Sequence, residues 1–231
     1  VPVAVVIVSD RVQVGCWVNS ITLAHGLGED EVVRLDFGAN VFEVERLVTG
    51  DVHVKIFKLS ENGDCGKAIY DRLFRKNETR EVRIYGLKGD DDFKISGTSR
   101  NSILVRIIGG DGEDTVSGAS RVAGPGRKTF FYDQRGQGEF KSAGEVRDLR
   151  SGDAAVNEYN RTSFEFDRLA PLLYGNYHAD DGIFLGGGFL WHKHGFRKEP
   201  FSARHLFLAS VAPNTGSYNF LYHAKFTEAI G

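Results

Sequence analysis

Val82-Arg83-Ile84-Tyr85-Gly86-Leu87-Lys88-Gly89-Asp90-Asp91-Asp92-Phe93 returns 23 residues later as Val105-Arg106-Ile107-Ile108-Gly109-Gly110-Asp111-Gly112-Glu113-Asp114-Thr115-Val116. Each copy reads as a short alternating strand, a glycine–acid turn and a second strand. A period of this length belongs to stacked coils rather than to a single globule. A weaker copy, Ile21-Thr22-Leu23-Ala24-His25-Gly26-Leu27-Gly28-Glu29-Asp30-Glu31-Val32, begins 61 residues before the first of these. That interval fits two coils plus a short insertion, which polar residues 60–77 would supply. The first half is therefore expected to be a strand-stacking scaffold without a catalytic pocket.

Composition agrees with an all-β chain. The 231 residues include 28 Gly, 17 Phe and 8 Tyr, with Val/Ile runs and few segments of helical period. The net charge of −2 does not suggest a basic nucleic-acid face. Cys16 and Cys65 lack metal-ligand spacing, and pairing or reduction stays open. No run of 18 apolar residues is present, so no transmembrane helix is expected; strands of a barrel carry a far weaker signal and are not excluded. Residues 1–8 lack the basic start of a signal peptide and read as a buried strand. With no Met in the chain, it is expected to be an internal piece of something longer.

Residues 42–59 read as two strands about Thr49-Gly50-Asp51. Gly124-Pro125-Gly126 is a break, residues 136–144 are glycine-rich, and residues 147–160 read as a linker. Beyond it the pattern changes. Residues 182–192 and 203–211 are long apolar strands, and Pro213-Asn214-Thr215-Gly216 is a tight turn. Tyr218, Phe220, Tyr222, Ala224 and Phe226 then alternate with Asn219, Leu221, His223, Lys225 and Thr227. Strands of roughly 9–11 residues with an aromatic-rich outer face suit a membrane β-barrel. A soluble antiparallel sheet alternates in the same way.

Tyr159-Asn160-Arg161, Asp180-Asp181-Gly182-Ile183-Phe184-Leu185-Gly186-Gly187-Gly188 and His194-Gly195-Phe196-Arg197-Lys198-Glu199-Pro200 resemble the start of a barrel in a family of Bacteroidota-type outer-membrane proteins. That family is similar to the surface-antigen barrels of outer-membrane assembly factors. A calcineurin-like metallophosphoesterase precedes the barrel in many of its members. The resemblance spans residues 42–231. It implies a periplasmic β-rich domain over residues 1–155 and the first barrel strands over residues 156–231. It further implies outer-membrane lipid as partner, an outer-membrane location, and any phosphoester hydrolysis in a domain outside this segment.

A binuclear phosphoesterase site needs ordered Asp-x-His, Gly-Asp and Gly-Asn-His motifs. Asp51-Val52-His53, Gly63-Asp64 and Gly175-Asn176-Tyr177-His178 imitate that order only, since Tyr177 interrupts the last motif. The glycine–acid turns are the stronger candidates. They approximate a calcium-binding nonapeptide, with Asp91, Asp114 and Asp30 at the ligand position, where carboxylates and turn carbonyls would give Ca²⁺ hard oxygens. A calcium-stabilised extracellular β-solenoid adhesion module is thus the alternative to the barrel. Plain solvated Gly/Asp turns give the same spelling. His192 and His194 share a face of one strand, and Gly186-Gly187-Gly188 would relieve crowding where a barrel bends.

Overall fold

The computed structural model describes residues 3–7, 38–60, 62–124, 128–141, 144–159 and 167–227. The chain divides into two compact units, Val1–Tyr159 and Asn160–Gly231. Both are built of strands, and the chain is all-β. The first unit holds β1 (Val3–Ile7), β2 (Asn40–Arg46), β3 (Val52–Leu59), β4 (Cys65–Phe74), β5 (Glu81–Lys88), β6 (Asp92–Ser99), β7 (Leu104–Asp111) and β8 (Thr115–Gly118). It continues with β9 (Arg121–Val122), β10 (Thr129–Tyr132), β11 (Glu139–Phe140) and β12 (Arg147–Asp148). The second unit holds β13 (Arg168–His178), β14 (Gly182–Gly195), β15 (Lys198–Ala212) and β16 (Ser217–Phe226).

The 23-residue repeat is a register. β5 and β7 pair in parallel between residues 23 apart, from Glu81↔Leu104 to Lys88↔Asp111, and β6 pairs with β8 at the same offset. Each coil thus places one strand in a five-stranded sheet (β1-β5-β7-β10-β12) and the next in a seven-stranded sheet (β11-β8-β6-β2-β3-β4, with β9 beside β6). Identical coils stacked in register put like residues on top of one another. Phe42 and Phe93 are such a pair, with ring centroids 4.5 Å apart, and Phe131 and Phe140 extend the aromatic packing. They lie in one buried cluster with Val44, Ile84, Ile95, Val105, Ile107 and Val116. Each such side chain contributes about 1.5–3 kcal/mol by leaving water.

Two segments differ from the sequence expectation. Residues 60–77 are not an irregular insertion: β4 lies there and pairs antiparallel with β3, so β2, β3 and β4 form a meander at one end of the second sheet. The strand was hidden because β4 is an edge with mostly exposed polar residues, which erases the period-two signal. Residues 147–160 are not a plain linker either, since β12 pairs parallel with β10 and Ala154–Asn157 form a turn of 3₁₀ helix capped by Asp153. The weak copy at residues 21–32, with Asp30, and Cys16 lie outside the described residues. Cys65 is exposed and free.

The second unit is one antiparallel sheet in sequence order, β13-β14-β15-β16. Its pairing runs from Arg168↔His192 to His178↔Gly182, Leu185↔Val211 to Lys193↔Ala203, and Ala203↔Phe226 to Ala212↔Ser217. A register shift between Lys193 and Gly195 interrupts β14 near its end.

Candidate functional site

Two arrangements carry chemistry or recognition, one in each unit. In the first unit the turns after β5 and β7 bring Asp91 and Asp114 into register, and the partner of this position one coil earlier is Asn40, just ahead of the Val41↔Asp92 pair. The three form a chain of bonds through the stack. The Asn40 main-chain N–H donates to Asp91 Oδ1 across 2.9 Å, and the Asn40 side-chain amide donates to the same oxygen across 3.2 Å. The Asp91 main-chain N–H in turn donates to Asp114 Oδ1 across 3.0 Å. Asp91 and Asp114 are therefore interior residues, 1% and 0% exposed, and not solvated turn acids.

A third carboxylate, invisible to the repeat, joins them. Tyr132 pairs with Ile108, so the next residue, Asp133, takes the place that Gly109 and Gly86 hold in the preceding coils. Glu139 pairs with Thr115, so Gly138 takes the place of Asp114. Glycine and aspartate have exchanged positions in the last coil. The exchange is steric: a Cβ on Gly109 would overlap Asp114 Oδ2 and crowd Asp133 Cγ, and one on Gly138 would overlap the Asp114 backbone. Asp133 Oδ1 accepts from the Asn157 amide at 2.9 Å and from the Gln134 N–H at 2.7 Å. The sequence signal was available as Asp133 followed by Gly136 and Gly138, but the swap defeats a search for the same spelling.

Oδ2 of Asp91, of Asp114 and of Asp133 is buried and has no hydrogen-bond partner. Burial, then the neighbouring Asp114 charge, pushes the Asp91 carboxyl up to about 8. Burial, partly opposed by the Asp91 N–H, pushes Asp114 up to about 7, and burial raises Asp133. The hard oxygens match calcium in chemistry. Their number does not reach the six to eight oxygens calcium takes, and among the described residues no group of three or more His, Cys, Asp or Glu is placed to hold a metal ion. A proton on one or more of the carboxyls relieves the same repulsion.

The opposite corner of the stack carries Arg46, only 2% exposed. Its guanidinium donates to Ser102 Oγ (2.7 Å), Ile103 O (2.9 Å) and Thr129 Oγ1 (2.6 Å), and Nε lies 3.2 Å from Glu145 Oε1. The imitations of a phosphoesterase motif have ordinary roles. Asp51 accepts from Thr49 Oγ1 and from the Lys76 N–H, while His53 pairs with Asp71 at 2.6 Å.

In the second unit the pairing assigns every side chain to a face, because residues paired across a sheet point the same way. One face collects Leu169, Leu173 and Tyr177 of β13, Ile183, Leu185, Phe189 and Trp191 of β14, Phe207 and Val211 of β15, and Tyr218, Phe220, Tyr222 and Phe226 of β16. Of the large hydrophobic side chains exposed in this sheet, all but Leu221 lie on this face, and Leu173 is 99% exposed. Trp191, Tyr222 and Phe226 stand toward one end of it, Tyr177 and Tyr218 toward the other.

The other face is mixed and more covered. Arg168, His192, Arg204 and Lys225 form one row across all four strands, and Tyr174, Gly186, Ser210 and Asn219 form another. Crowding is tightest on this side: a Cβ on Gly186 or Gly188 would overlap β15 backbone, whereas Gly175 of the apolar face has open space and Gly187 meets the Leu172 carbonyl oxygen at 3.1 Å. The relief of crowding expected of Gly186-Gly187-Gly188 is needed most at Gly186 and Gly188. The rings of His192 and His194 lie edge to face, with centroids 6.4 Å apart. The His192 ring stacks on Phe201, and the His194 N–H donates to Asp167.

No known protein family, no curated protein and no solved structure matches this chain.

Proposed function

We propose that the chain is a non-catalytic segment of an outer-membrane β-barrel protein, with β13–β16 as strands of the barrel and the coil stack as its periplasmic domain. The one-sided apolarity of β13–β16 carries this reading. A soluble sheet turns its apolar face to a core, whereas here that face is the exposed one and polar groups gather on the other. A barrel in lipid has this arrangement, with lumen on the concave side and acyl chains on the convex side. The eight residue steps from Leu169 to Tyr177 span roughly 27 Å along a strand. At the usual tilt this is on the order of 20 Å across the membrane, close to the apolar band of such barrels. Aromatic residues toward both ends of the face fit the two interfacial girdles. On this reading outer-membrane lipid is the partner, and phosphoester hydrolysis, where it exists, belongs to a domain elsewhere in the parent protein. The test is flotation of the 231-residue chain with neutral lipid vesicles: co-flotation with retained strand signal supports the reading, and a monomer in plain buffer that ignores vesicles defeats it.

The three orphaned oxygens favour a second reading, a calcium-stabilised β-solenoid adhesion module in which Asp91 and Asp114 meet the ion with main-chain carbonyls completing its shell. Ion binding to the folded state alone raises stability by mass action. A melting temperature identical in calcium and in chelator removes this reading.

A further inference from the structure

We propose that the mixed face of β13–β16 contains an anion site for a phosphate-bearing solute, formed by His192, Arg204 and Lys225 around the ring of Phe201. The assignment rests on the barrel reading for its position in a lumen, but its chemistry is independent of that reading. Phe201 is 8% exposed. The His192 ring lies parallel to it, with 5.8 Å between centroids and 2° between planes. The Arg204 guanidinium carbon is 5.5 Å from its centroid and the Lys225 ammonium 5.9 Å. Three basic groups from three strands thus meet over a single aromatic ring, which draws cations to its face but cancels none of their charge.

The acids nearest in sequence lie outside the row: Asp167 accepts from the His194 main-chain N–H, and Glu199 precedes the regularly paired part of β15. The paired stretches 168–178, 182–193, 203–212 and 217–226 contain no Asp or Glu. Cations gathered without carboxylates between them repel one another. His192 Nε2 is moreover buried without a hydrogen-bond partner. A bound oxyanion answers both deficits at once: it neutralises the row and accepts from His192. Arginine supplies paired donors suited to phosphate, and lysine a movable point charge. Arg168 continues the row by register. Rings of Arg and Lys inside a barrel select anions in the same way.

Isothermal titration of inorganic pyrophosphate into the full chain in a non-ionic detergent tests the site, with vesicle flotation run beside it. The expected result is saturable binding that weakens with added salt. Arg204→Gln and Lys225→Gln should each weaken it about tenfold or more, as for loss of a charged hydrogen bond. Arg204→Lys, which keeps the charge, should retain most of it and confirm that the fold survives. Titration with phosphatidylglycerol in the micelle separates the sources: competition with pyrophosphate places the anion on a lipid headgroup, and indifference places it in solution. A chain that floats with vesicles yet binds no pyrophosphate, or binds it equally in all variants, overturns the site while leaving the barrel reading intact. A chain that stays off vesicles but binds through Arg204 and Lys225 overturns the barrel and keeps the site. A chain that does neither overturns both.

Discussion

The main-chain N–H of Asp91 donates to the carboxylate of Asp114, its register partner in the next coil, across 3.0 Å. That bond occupies Oδ1 of Asp114, the bonds from Asn40 occupy Oδ1 of Asp91, and Oδ2 of each carboxylate stays buried without a partner. Stability must therefore depend on protons. Both folded-state carboxyls sit above the ordinary aspartate value, near 8 for Asp91 and near 7 for Asp114. A raised acid binds more protons folded than unfolded, so its stabilising effect is complete below about pH 4 and is lost as pH rises through about 7 to 8. Thermal melts in chelator should show the coil stack losing stability across that window. Asp114→Asn keeps an acceptor for the Asp91 N–H and removes one ionisation, so it should flatten the slope. A melting temperature that climbs steadily from pH 5 to 8 in chelator would contradict the ladder.

The Gly/Asp exchange in the last coil makes a contrasting pair of substitutions. Gly109→Ala puts a methyl where Asp114 Oδ2 lies, and overpacking of this kind costs about 1–3 kcal/mol, with more when a buried carboxylate loses its place. Gly136→Ala meets no neighbour but must hold a φ of +93°, a left-handed conformation costing about 1 kcal/mol. Urea unfolding should rank Gly109→Ala as the more harmful of the two. The reverse order would mean that the carboxylate moves aside at little cost.

How much of this was readable depended on whether a signal repeats in the same letters. The offset between Ile84 and Ile107 announced parallel coils, because in-register stacking forces identical residues into identical places. The coil carrying Asp133 escaped notice because its glycine and aspartate trade positions, a relation set by volume across the stack and not by local pattern. Strand β4 escaped because an exposed edge has no buried face to alternate against. Asp91 and Asp114 are legible as turn acids, but their burial is not: a Gly/Asp turn is spelled alike whether its acid points to water or into the stack. In the second unit the alternation of Tyr218, Phe220 and Tyr222 was legible, while the row of Arg168, His192, Arg204 and Lys225 required the register between strands.

Arg46 and Glu145 close the far corner of the stack. Burial lowers the guanidinium's proton affinity and Glu145 restores it, so each needs the other. Arg46→Ala strands Glu145 and empties a buried volume, and breaking such a pair costs about 3–5 kcal/mol. Glu145→Gln can keep an acceptor oxygen toward Arg46 and Thr129 but turns its NH2 to the Lys128 N–H, and because it fills the same volume it should cost less than Arg46→Ala. In a double-mutant cycle the pair should couple strongly; additive effects would show that the hydrogen bonds Arg46 donates to Ser102, Ile103 and Thr129 suffice to hold it.

The final prediction separates the two faces of β13–β16. Leu173 stands 99% exposed on the apolar face, while its sequence neighbour Leu172 points to the mixed face. If the apolar face meets acyl chains, an acid there must be carried into hydrocarbon, whereas an acid on the other side stands in a wet lumen beside basic groups. Leu173→Asp should therefore weaken flotation with neutral vesicles severalfold, by the few kcal/mol that a lipid-facing charge costs. Leu172→Asp should weaken it far less. Residues 1–159, which own the buried cluster of Phe42, Ile84 and Phe131, should stay monomeric in plain buffer, and the whole chain should need detergent. In a soluble sheet both leucines would be equally indifferent to vesicles, and the whole chain would stay monomeric without detergent. Equal flotation of the two variants, with the full chain clear in buffer, would return β13–β16 to the soluble world.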